Sequence, residues 1–230
     1  MSTMSLNTLS PYISEILLAL MLVCVAWATL FDRHLLRACS MFVVFALTLT
    51  LAWWRLQTPW LAFAELIFGG VLTSLAFFYV LGVVPLASPL LPKRDGLVET
   101  WSHAGVRAVL ALSWLALLLV ALYALTPTFA DAFEGNPLIV AGAVMVASGL
   151  GAFALHRHLL RRLLAFNVLG SGVFLFLAGL AGTLVKVQAL IVVGLLVAWL
   201  GTLLGALLIR RIYMLQGQQA LADGDAKEAE

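Results

Sequence analysis

The chain has 230 residues, of which 63% are hydrophobic and 10% charged, with a formal net charge of +2 at pH 7. A soluble domain carries about 25% charged residues, so the composition excludes a soluble globular fold and leaves no hydrophilic stretch long enough for a soluble catalytic domain. The basic residues are divided among short turns, which removes the case for nucleic-acid binding.

In chain order, apolar runs occupy 13–31, 35–53, 60–81, 106–125, 138–155, 163–181 and 187–209. Each is close to the roughly 20 residues that a helix needs to cross hydrocarbon. Together they predict an all-α integral membrane protein with seven transmembrane helices. The first twelve residues lack the basic segment of a cleavable signal peptide, so the first run is expected to stay attached as a span. Arg33 and Arg37 lie in the first connection, Lys93, Arg94 and Arg107 around the third, and Arg157, Arg161 and Arg162 around the fifth. Arg210, Arg211 and Lys227 follow the last run, whereas the alternate connections hold only Arg55 and Lys186. Basic residues are retained on the cytoplasmic side, which predicts an N-terminus outside and a C-terminus in the cytoplasm.

The two cysteines, Cys24 and Cys39, sit inside the first two runs and read as small apolar packing residues. No C-x-x-C unit or histidine cluster of ligand spacing occurs, so neither a metal nor a cofactor is expected. His34, His103, His156 and His158 stand beside arginines, where headgroup contact is the expectation. Trp53, Trp54 and Trp60 bracket the second connection and read as an interfacial belt.

The stretch Arg33-His34-Leu35-Leu36-Arg37 recurs as Arg157-His158-Leu159-Leu160-Arg161, each time between the first and second helix of a three-helix unit. Shared ancestry and convergent turn composition both account for this echo. It divides the chain into a three-helix module at 1–82, a connecting segment with the fourth helix at 83–136, a second three-helix module at 137–212, and a polar, disordered cytoplasmic tail at 213–230. Gly194, Ala198, Gly201 and Gly205 form a small-residue stripe on the last helix, and Gly69, Gly170 and Ser171 add further smooth faces. Missing side chains let backbones approach where hydrophobicity drives nothing in lipid, so these seven are helix-interface candidates.

Glu65 is the outstanding polar residue. It lies near the start of the third span, about 8 Å below its end, and Ala62, Gly69, Thr73 and Ala76 continue its face by helical steps. A charge facing lipid there carries a large desolvation cost. In a wet interior the carboxyl can exchange protons or attract a cation; it can equally serve as a structural acid. Asn167 in the sixth run can hydrogen-bond across helices but cannot titrate. Lys186 begins the seventh run, where its stem lets the ammonium reach water. The ion-path candidates are therefore Glu65, Thr73, Asn167 and Lys186.

At these residues the chain resembles small membrane subunits of Mrp-type multisubunit cation/proton antiporters and related membrane-bound hydrogenases. The first module resembles their MbhD-like unit, whose third helix follows the form G-A-P-D-x-A-x-T-E-x-x-x-G. Here Pro59, Ala62, Glu65 and Gly69 match, while Trp60 replaces the acid and Ala64 the threonine. The second module resembles the MrpC and NuoK subunits through His156-Arg157-His158-Leu159-Leu160-Arg161-Arg162 and Gln188-Ala189-Leu190. Asn167 falls where the NuoK type carries a membrane glutamate.

The resemblance implies a non-catalytic subunit of a bacterial or archaeal inner-membrane complex that exchanges protons with Na+. It would support a hydrated ion path beside large antiporter-like subunits, other small subunits and membrane lipids, without a cofactor. Two alternatives remain open: the membrane arm of a hydrogenase or related redox pump, and a structural adaptor of an ion-coupled anion-uptake complex.

Overall fold

The computed structural model describes residues 6–32, 34–83, 136–156, 158–181 and 184–228, together with Val106, Val109, Leu110, Ser113, Ala116, Leu117 and Val120. The continuous helices are α1 (Leu6–Phe31), α2 (Leu35–Arg55), α3 (Pro59–Val80), α4 (Pro137–Leu155), α5 (Leu159–Ala181) and α6 (Val185–Glu228). All six contain a stretch long and apolar enough to cross a membrane.

This count corrects the expected architecture. Among the described residues there are six such helices, not seven. The orientation read from the basic residues, N-terminus outside and C-terminus cytoplasmic, requires an odd number of crossings, which the six described spans do not supply. The fourth run, 106–125, is described only at the seven single positions, which are helical; the rest of it lies outside the described residues. The rest of the connecting segment 83–136 lies outside the described residues, as do Arg33 and Arg157.

Local chemistry sets the helix ends. Asn136 caps α4 by accepting the Leu138 N–H at 3.0 Å, and Pro137 follows at the first helical position, where its missing donor is not needed. Between α2 and α3 the Thr58 N–H bonds to Trp53 O at 3.2 Å and the Gln57 N–H to Trp54 O at 3.1 Å. This paired closure needs a left-handed residue, and Gln57 supplies it at φ 58°. The end of α3 closes the same way, with Gly82 at φ 69° and bonds to Tyr79 O and Phe78 O. The tail that the sequence marks as disordered from 213 continues α6 to Glu228. Its Ala, Leu and Gln residues are good helix formers.

Around the bundle, α1 packs on α2, α2 on α3, α3 on α6, α6 on α5, α5 on α4, and α4 back on α1. The helices thus close a ring, with a smaller α2–α5 contact across it. The α4–α5 approach depends on glycine: a Cβ on Gly172 would stand 2.9 Å from Gly142 O, and one on Gly149 would stand 2.9 Å from Leu169 N. On the other flank, Phe42, Phe45, Phe77 and Trp53 are fully buried, with Phe42 edge-on to Phe77 at 5.1 Å. Trp54 and Trp60 stay exposed, so the expected tryptophan belt loses Trp53 to the core.

The middle of α3 is not α-helical. Leu66–Thr73 forms a π-helix between the α segments Pro59–Glu65 and Ser74–Val80. Its wide turn is held partly by side chains: the Thr73 hydroxyl donates to Phe68 O at 2.6 Å and the Ser74 hydroxyl to Gly69 O at 3.4 Å. Insertions of this kind widen the helix and re-aim the side chains that follow.

Candidate functional site

A cavity of about 570 Å³ lies where α3, α5 and α6 meet, with Phe42 of α2 closing one side. Its wall is mostly apolar, formed by Phe68, Phe166, Phe174, Leu190, Leu195 and Trp199 among others. Four polar side chains reach it: Glu65 and Thr73 from α3, and Asn167 and Ser171 from α5. The space would hold several waters, each of which occupies about 30 Å³ in the liquid.

Glu65 is only 1% exposed and sits where the α segment of α3 gives way to the π segment. Its side chain lies over Gly69, where an added methyl would collide with the carboxylate. The Trp53 indole is its polar neighbour. That approach does not complete a hydrogen bond, because Trp53 Nε1 and Glu65 Oε2 both remain buried without one. No described cation is seen paired with Glu65, and the acid Asp32 is paired with Arg37 at 3.6 Å. A buried carboxyl with an unmatched oxygen beside a cavity suits a group that takes a proton from water and returns it.

Asn167 differs from Glu65 in being fully engaged. Its amide N–H donates to Leu163 O at 2.9 Å, and its carbonyl accepts from the Thr202 hydroxyl at 3.0 Å. Thr202, on α6, also lies 2.9 Å from Ala198 O, so one hydroxyl ties the two helices together. Thr202 is not visible as a partner in the sequence. It lies 35 residues from Asn167, and a threonine on an apolar helix more often bonds its own preceding turn.

The structure brings most of the sequence-selected residues to this one place. Glu65, Thr73 and Asn167 line the cavity together with Gly69, Gly170, Ser171, Gly194, Ala198 and Gly201. Gly170 and Gly201 open onto free space, whereas a Cβ on Gly194 would meet the Phe174 ring at 2.7 Å. Gly205 lies further along α6, against Leu163 at 2.9 Å from an added Cβ. Lys186 is exposed at the start of α6 and is not among the lining residues. Among the described residues no group of three or more His, Cys, Asp or Glu could hold a metal ion.

Residues 20–85 match the family MbhD, a subunit family of the MBH assembly. The matched stretch runs from the middle of α1 to just past the end of α3 and contains Glu65 and the π segment. It is less than half of the chain and does not extend to α4–α6. No curated protein and no solved structure matches the chain. The chain is therefore a multi-pass, all-α membrane protein whose first three helices resemble a small subunit of a larger membrane complex.

Proposed function

We propose that the chain is a non-catalytic subunit in the membrane arm of a redox-driven ion pump of the MBH type, in a bacterial or archaeal inner membrane. In this reading α1–α3 and α4–α6 are two three-helix modules, and Glu65 passes protons between waters in the half-open cavity that they border. Thr73 and Ser171 offer hydroxyls that can carry a hydrogen-bonded water chain past the carboxyl. Asn167, which cannot titrate, fixes the opposite wall through Thr202. The observation that carries the reading is Glu65, buried to 1% exposure on a cavity that it shares with three other polar side chains. The family match supports the hydrogenase-type assembly over a Na+/proton antiporter, because MbhD is a family of MBH subunits.

Two measurements test this. Gentle solubilisation followed by mass spectrometry should recover the chain with large membrane subunits and with iron–sulfur and nickel-site subunits. Recovery with membrane subunits alone would transfer the reading to antiport. In vesicles holding the intact complex, Glu65→Gln should assemble and lose ion flux by about tenfold or more, the scale of a lost proton-transfer group. Glu65→Asp should retain more. Normal flux in the Gln form would remove the proton-carrying role.

A further inference from the structure

We propose that the groove between α3 and α6 seats an acyl chain of an anionic phospholipid whose phosphate pairs with Arg210. The groove is lined by Leu72, Leu75, Tyr79, Trp199, Leu203 and Leu207, and it leads along both helices to Tyr79. From Leu72 to Tyr79 it follows about 10 Å of helix, two thirds of the ~15 Å of hydrocarbon in one leaflet.

At the Tyr79 end of this apolar wall the Arg210 guanidinium packs against Tyr79. The Arg210 guanidinium lies 4.5 Å from the centre of the Tyr79 ring, and its Nη1–H donates to Tyr79 O at 3.0 Å. Part of its role is ordinary: it caps the carbonyl end of α3, where a positive charge complements the helix dipole. That role leaves the guanidinium incomplete. Arg210 is only 7% exposed, its Nε–H has no hydrogen-bond partner, and no described carboxylate pairs with it. The acid of the α1–α2 turn, Asp32, is taken by Arg37 at 3.6 Å.

An arginine near the end of a membrane helix ordinarily extends its head to water. Arg210 instead lies over an aromatic ring at the mouth of an apolar groove. The guanidinium fork matches phosphate oxygens, and basic pockets between membrane helices take anionic headgroups. The division here, a long apolar trough ending in one buried cation, repeats the division of a phospholipid into tail and phosphate. Leu75 and Leu207 are 50% and 44% exposed, so the trough opens towards the surface that lipid covers.

The test is native mass spectrometry of the purified full chain in mild detergent, given phosphatidylglycerol or phosphatidylethanolamine with the same acyl chains. The wild type should retain one phosphatidylglycerol at least about tenfold more readily than the zwitterionic lipid, one bidentate charged contact being worth that factor. Arg210→Gln should lose the preference, and Arg210→Lys should keep part of it. Leu75→Trp fills the trough at an exposed position, tolerates folding, and should lose the bound lipid with Arg210 intact. Arg37→Gln, which removes an exposed cation, should change nothing. Equal retention of both lipids overturns the proposal. So does a wild type that holds neither, a loss with Arg37→Gln equal to that with Arg210→Gln, or an undiminished adduct in Leu75→Trp. Helical circular dichroism accompanies each variant, and Leu75→Trp decides the matter if Arg210→Gln does not fold.

Discussion

Gly69 and Glu65 are one turn apart, and their relation shows what a single missing side chain does. The Glu65 carboxylate occupies the place that a Gly69 methyl would take. Because the obstacle is the far end of a flexible side chain, Gly69→Ala should leave the helix folded and push the carboxyl elsewhere. Flux in assembled complexes should then fall by about tenfold or more, as expected when a reacting group is misplaced by an ångström. In the Glu65→Gln background the same change should cost little further, since the two act through one group. Both residues were legible in the sequence, as an acid and a glycine on one helical face. Trp53 was not. It reads as the neighbour of Trp54, yet adjacent residues on a helix point about 100° apart, and this turn sends Trp53 into the core while Trp54 stays outside.

Among the described residues, six of the apolar runs correspond to continuous helices, because hydropathy and length carry that signal directly. Their ends and internal geometry were less legible. α5 begins at Leu159, four residues before the apolar run at 163, since Arg161 is buried and Arg162 lies over the Phe153 ring at 4.5 Å. The π segment Leu66–Thr73 contains no proline, and its Gly69-Gly70 pair does not by itself specify a π turn. Nor does a small-residue stripe say which glycines are tight. Gly172 is tight and Gly201 is open, so leucine at the two should separate them. Gly172→Leu should force α4 and α5 apart and destabilise by about 1–3 kcal/mol or more. Gly201→Leu should stay within about 0.5 kcal/mol, in keeping with changes away from packed features. Detergent-titrated unfolding followed by circular dichroism reads both.

At the scale of the molecule, the ring order and the cavity where α3, α5 and α6 meet could not be read from the chain. Both depend on which helices from distant parts of the sequence meet, and periodicity does not encode that. The seven-span expectation meets six spanning helices among the described residues, most of the fourth run lying outside them.

The contacts between the first three helices and the last three are specific. The Trp27 indole donates to the Ser148 hydroxyl at 2.7 Å, His156 Nε2 donates to Leu30 O at 3.0 Å, and Arg210 donates to Tyr79 O at 3.0 Å. Together with the α1–α4 and α3–α6 packing, they join the halves without using the chain between them. Residues 1–105 and 106–230, co-expressed as separate polypeptides, should therefore associate, and a tag on either piece should recover both from membranes. Failure to co-purify, with each piece present in the membrane, would show that the halves do not recognise each other.

If they do, the peptide link serves accounting more than architecture. Translation of one message delivers the two halves in equal number and at the same place. An assembly that needs one of each is then spared both an excess of either partner and a search through the membrane for the other. Fission of such a gene would leave the fold intact and give up that guarantee.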